Sequence, residues 1–248
     1  MSVPGDYSDV ADVCAAAAIK LSGLVPPPRL TRTSGHLAYR CREKSQAQAI
    51  VLKCVAATSR LRASLVLWRE GYLQEQGALH RMLDETNEDI WFLALGLIRN
   101  QHTPQHVQFL EAFFAEEFGD AADVVSSRTR RNLVPRKKIR AFIASAEGLP
   151  DPHRDTAVAE TLSAMYSGFV HGAAQHILIS YGGSPPHYAL SGLQGTPLME
   201  EHLEDAWNYV FRTLQAHQVA ARALEKHDLF ELLGQQLAAF QHKSGRTG

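Results

Sequence analysis

The chain has 248 residues, is 45% hydrophobic and carries a formal charge of −1. That supports one substantial core or at most two small domains. It excludes a global field drawing the protein to nucleic acid or membrane, so any such partner needs a local patch. Three cysteines, Cys14, Cys41 and Cys54, form no pairing pattern, which points to a reducing compartment. The acidic, polar start MSVPGDYSDV is no secretory signal, and CAAAAIKLSGLV falls short of the ~20 residues that span a bilayer. The expectation is a cytoplasmic protein with no membrane partner.

Residues 1–36 read as a loosely ordered N-terminal segment holding a short alanine-rich helix from Asp9 to Leu21. Pro26, Pro27 and Pro28 then forbid helix. Residues 37–248 read as a single all-α domain. Its first long helix runs from about Ala38 to Trp68, with Ala47, Ile50, Cys54, Ala57, Leu61, Leu65 and Trp68 on one stripe. A second continues from Tyr72 to Ile98. Thr103 and Pro104 form an N-cap and first-turn pair that starts a third helix ending at Gly119. A short helix follows Pro135. Asp151 and Pro152 open the next helix, and Gly182-Gly183 closes it. SPPHYALSGLQGTP (184–197) is a long Pro/Gly-rich loop, a lid, a dimer arm or a variable surface loop. A last long helix spans Leu198 to Lys226, with Ala206, Trp207, Val210 and Leu214 on its apolar face, and DLFELLGQQLAAF ends the chain. No alternating run is long enough for a sheet. The fold class is all-α, a helical bundle with extra short helices.

MYSGFVHGAAQHI (165–177) puts two glycines and two histidines where a helix interior is expected. At about 100° per residue, Leu162, Met165, Tyr166, Ala173, His176 and Ile177 gather around Phe169 as a core-facing stripe. His176 is thus expected to be a satisfied core histidine. The opposite face holds Ser167, Ala174, Gln175 and, near its centre, His171. Gly168 and Gly172 flank it and would admit a neighbouring helix, so Gly168, Gly172 and Gln175 are the candidate interface. His171 is either an interface histidine or a general acid/base, since imidazole titrates near neutral pH. No metal-ligand, phosphate-loop or nucleophile-elbow motif occurs, so neither metal nor cofactor is expected.

YSGFVHG (166–172) resembles the YR-x-x-S-x-x-H helix of an uncharacterised bacterial branch of the HEPN superfamily, and CREKSQAQAIVLKC (41–54) resembles its early helix. The likeness spans about residues 38–225. It implies an HEPN-like bundle, often a homodimeric, metal-independent ribonuclease whose signature is an Arg followed four to six residues later by a His. The histidine falls on His171. The arginine has no counterpart, since Met165, Tyr166 and Ser167 occupy those positions. Relatives with a degraded motif serve as binding or antitoxin-like modules. In the catalytic version His171 would be the acid/base, with Ser167 or Tyr166 positioning the phosphate. Arg40, Glu43 or Lys44 would reach that face from the first helix, unless they lie in its exposed first turn.

Arg128, Arg130, Arg131, Arg136, Lys137, Lys138 and Arg140 crowd one segment without an acid. They would either hold RNA phosphates or form a solvated loop balanced by the acids before them. Three readings stay open: an RNA-binding or RNA-cleaving homodimer, a non-catalytic helical interaction module, and a small-ligand sensor with a pocket beneath the 184–197 loop.

Overall fold

The computed structural model describes residues 4–33, 36–116, 131–147 and 152–246. Its elements run α1 (Gly5–Ser22), β1 (Arg29–Thr33), β2 (His36–Arg40), α2 (Gln46–Arg69), α3 (Leu73–Ile98), α4 (Pro104–Phe114) and α5 (Arg136–Glu147). Then come α6 (Pro152–His171), α7 (Ala174–Leu178), β3 (Tyr181–Gly182), β4 (His187–Tyr188), α8 (Leu198–Ala223) and α9 (His227–Ser244). The fold is an all-α bundle. No helix among the described residues is long and apolar enough to cross a membrane.

The central helix is α3, packed against α2, α5, α6 and α8. The predicted stripe of α2 is buried from Ile50 through Trp68, and Ser45 caps the helix by accepting from the Gln48 N–H at 3.1 Å. The Trp68 indole N–H donates to the Met199 carbonyl at 2.7 Å, tying α2 to the start of α8. Burying one such large apolar side chain contributes ~1.5–3 kcal/mol.

Thr103 and Pro104 do start α4, through a capping box closed by His106. His106 Nε2–H donates to the Phe92 carbonyl at 3.1 Å, leaving Nδ1 to accept from the Thr103 N–H at 3.2 Å. The ring fits because α3 has Gly96 there; a Cβ would stand 2.5 Å from His106 Nε2.

Four expectations need correction. The N-terminal segment is not loose over α1: Tyr7, Val10, Ala11, Cys14, Ala17, Ala18 and Leu21 are buried against α2, α8 and α9, because small alanines let the helix lie close. Burial pushes the Cys14 thiol up to about 12. The first long helix begins at Gln46 rather than Ala38, since residues 36–40 pair as a strand with 29–33. That hairpin is exposed, with Leu30, Leu37 and Tyr39 in solvent, so no core face imprinted an alternating pattern on it. Finally, the helix begun at Pro152 ends at His171 rather than at Gly182-Gly183. Gly172 adopts φ +62°, the left-handed conformation that terminates helices and suits glycine. The predicted helix end at Gly119 lies outside the described residues; α4 spans Pro104–Phe114.

Candidate functional site

Beyond Gly172 the short α7 doubles back onto α6. The Ala173 N–H donates to the Gly168 carbonyl at 2.9 Å. The His176 ring lies over Gly168, where a Cβ would sit 2.1 Å from Cε1, and meets Phe169 edge-on at 4.3 Å. Gly168 therefore serves a contact within the chain, and Gly172 serves a backbone turn. His176 is half-buried and its Nδ1 has no hydrogen-bond partner, so it is not the satisfied core histidine expected. The predicted stripe also fails at Met165, Ala173 and Ile177, all exposed, because the break at Gly172 destroys the single wheel on which they were aligned.

His171 and Gln175 lie exposed and Ser167 is half-buried. Tyr166 turns inward instead of toward a phosphate: its hydroxyl donates to Asp205 Oδ2 at 2.7 Å, and burial with the nearby acid raises its pKa. Arg40 does not join His171. Its Nε donates to Glu116 Oε1 at 2.5 Å beyond α4. Glu43 and Lys44 are exposed in the connection before α2. The proposed active constellation is not brought together.

The basic segment divides. Arg128 and Arg130 lie outside the described residues. Lys137 and Lys138 are exposed, and Arg131 Nη2 donates to the Ala115 carbonyl at 3.3 Å. Arg136 and Arg140, expected on a nucleic-acid surface, point into the protein. Arg140 Nε donates to Glu88 Oε1 at 2.7 Å, and Arg136 pairs with Asp89 and stands 3.5 Å from Glu88 Oε2. Lys53 completes the group on Asp89 at 2.6 Å. Buried carboxylates on α3 consume these cations, because an unpaired charge there is costly.

Those carboxylates end a polar ridge that sequence reasoning missed. Gln76, His80, Asp84 and Glu88 recur every four residues along α3, and all four are buried. His80 stacks on Tyr209 at 3.9 Å and approaches Tyr166 edge-on at 6.1 Å. Neither of its ring nitrogens has a hydrogen-bond partner, and burial, then the His202 charge, hold its pKa at about 3. Asp84 accepts from Arg212 Nη1 at 2.5 Å and from the Tyr209 hydroxyl at 3.4 Å; burial still raises its carboxyl, and that of Glu88, above the usual range. The four-step polar spacing was the available signal, but on an isolated helix it looks like a solvated face. Beside Glu88, a cavity of about 280 Å³ opens between α3, α5, α6 and α8. Among the described residues no three His, Cys, Asp or Glu side chains could hold a metal ion.

The 184–197 loop is held rather than free. Gly71 and Gly192 meet back to back: a Cβ on Gly192 would lie 2.3 Å from the Glu70 carbonyl oxygen, and one on Gly71 2.6 Å from the Leu193 nitrogen. The Leu193 N–H donates to the Gly71 carbonyl at 2.9 Å, and Gln194 Nε2 to the Arg69 carbonyl at 3.0 Å. Upstream, β3 and β4 form a hairpin whose Tyr181 and Tyr188 rings stand 4.9 Å apart. This pinned arm is apolar outside: Leu190 is 83% exposed and Met165 61%, and Val170, Ile177, Leu178, Tyr181 and Tyr188 are exposed as well. From Met165 to Met199 the sequence holds no Asp, Glu, Lys or Arg, in a chain that is 21% charged. That gap was visible in the sequence and is the clearest mark of the arm. Compared with family models, curated proteins and solved structures, the chain matches none of them.

Proposed function

We propose that this protein is a helical interaction module that self-associates through the segment from Met165 to Leu190. The observation that carries this reading is the row of seven exposed large apolar side chains in a stretch free of formal charge. Exposed apolar surface of this kind marks interaction sites, and interface cores are depleted in charged residues. A second copy is the partner that fits, since an uncharged face meets its own copy without like-charge repulsion and a two-fold interface is self-complementary. Sedimentation equilibrium tests it. Wild type should be dimeric at micromolar concentration, and Leu190→Asp with Tyr188→Ser should be monomeric at unchanged helicity. A monomeric wild type overturns the reading.

The exposed imidazole of His171 on the same stretch keeps one further reading: two protomers would bring their histidines near an RNA backbone, as the HEPN resemblance implies. RNA cleavage in EDTA by wild type, lost in His171→Ala with the dimer intact, is its expected outcome. No cleavage by either protein overturns the RNA reading and leaves the association reading standing.

A further inference from the structure

A second exposed apolar face, of different chemistry from the arm, lies on the β1–β2 hairpin. The strand register sets Leu30 opposite Tyr39 and Arg32 opposite Leu37. Cross-strand partners project to the same side, and side chains alternate along each strand, so these four share one face. All four are exposed, Tyr39 by 70%. The opposite face is the one turned toward the protein. Thr31 and Ala38 are half-buried there, the Thr31 hydroxyl donates to the Ala38 carbonyl at 3.2 Å, and Arg40 is held by Glu116. The hairpin is therefore oriented, with its leucines and tyrosine outward.

Charge says what covers this face. From Val13 to Arg42 the sequence holds no Asp or Glu. Arg29, Arg32, Arg42 and Lys44 are exposed, and none of them makes an ion pair among the described residues. A second copy is disfavoured as the cover, since cations would meet cations. A folded protein partner needs about 800 Å² on each side, and a ribbon two strands wide and about 17 Å long falls well short of that. A nucleic-acid strand calls for stacking rings or for hydrogen bonds to base edges; of the four outward side chains one is a ring and two are leucines. An anionic lipid surface needs no fixed complementary area and suits each group. Cations are drawn to its headgroups, tyrosine settles at headgroup level, and an arginine can lay its stem along apolar neighbours with its guanidinium among phosphates. We propose that the β1–β2 hairpin docks the protein on an anionic phospholipid surface, with Leu30, Leu37 and Tyr39 entering the headgroup region and the four free cations facing the phosphates. Lying on a bilayer in this way requires no spanning helix. The proposal is independent of self-association through the arm.

Vesicle flotation of the full chain tests it. Mixed phosphatidylserine–phosphatidylcholine vesicles should carry the protein at low salt and release much of it at high salt; pure phosphatidylcholine should not carry it. That comparison needs no variant. Arg29→Gln and Arg32→Gln should each weaken binding about fivefold. Leu37→Ser with Tyr39→Ser leaves every charge in place and should weaken binding about tenfold. All four side chains are exposed, so helicity should stay unchanged. The arm variant, Leu190→Asp with Tyr188→Ser, should still bind the mixed vesicles. No binding to the mixed vesicles, or equal binding to pure phosphatidylcholine, overturns the proposal. So does binding that the arm variant loses and the hairpin variants keep. A single-stranded RNA bound through Arg29 and Arg32, with the vesicles left unbound, overturns it in favour of nucleic acid.

Discussion

The α3 ridge and the 165–190 arm are inverted copies of one another. The ridge puts Gln76, His80, Asp84 and Glu88 inside; the arm puts Met165, Val170, Ile177, Leu178, Tyr181, Tyr188 and Leu190 outside. Both break the rule that apolar groups face inward. They differ in how the cost is met. Glu88 and Asp84 find arginines within the chain, whereas the arm finds no cover among the described residues. A buried polar group that is satisfied internally specifies the fold, and an apolar surface that is not covered internally asks for something else. Places where local pattern and global fold disagree are where function is expected.

The sharpest way to break the ridge is Glu88→Ala. It strands Arg140 and leaves Arg136 with Asp89 and the Glu85 carbonyl, and should cost about 3–5 kcal/mol, read as a lower urea midpoint. Replacing both members, Glu88→Met with Arg140→Met, should recover most of that loss, since no charge is left unpaired.

The ridge also predicts an acid limb. His80 stays neutral in the fold down to about pH 3, but in the unfolded chain it protonates below about pH 6.5. A depressed histidine therefore contributes fully above pH 6.5 and loses that contribution as pH falls toward 3. Between pH 7 and 5 the loss from this one group should be about 2 kcal/mol. Asp84 and Glu88, whose carboxyls burial raises, act with the opposite sign, so the difference in pH slope between wild type and His80→Leu is what isolates the histidine. Equal slopes would show that His80 is not held neutral.

On the arm side, Gly172→Ala places a Cβ in ordinary van der Waals contact, 3.7 Å from Ile177 Cδ1, yet at φ +62°. The cost is conformational alone, about 1–2 kcal/mol, and Gly172→Asn should cost less. Thermal unfolding of the pair separates backbone strain from crowding. Smallest of all, Arg40→Ala removes an exposed ion pair with Glu116 and should shift stability by under about 1 kcal/mol. A larger loss would mean that the hairpin supports the bundle.

Legibility in the sequence follows from the same contrast. The stripes of α2 and α8 and the Thr103-Pro104 start were readable because there polarity and burial agree. The docking of α1 was not, since a run of alanines has little apolar contrast yet packs closely. The ridge was not, since a four-residue polar spacing is what a solvated helix also shows; only the neighbours Tyr209, Arg212 and Arg140, distant in sequence, reveal its burial. Of the candidate site, His171 was found at the surface, but Arg136 and Arg140 were claimed by carboxylates that no local window contains.

The back-to-back contact of Gly71 and Gly192 bears on the thermodynamics of association. It fixes the end of the arm in the lone protomer, through a backbone bond to the α2–α3 corner. Conformational freedom that a loose loop would surrender on meeting a partner, about 0.5–1.5 kcal/mol for each immobilised side chain, has in part already been given up during folding. A modest contact area can then suffice for a stable pair, and loosening either glycine's contact should weaken association without removing a single atom from the surface that meets the partner.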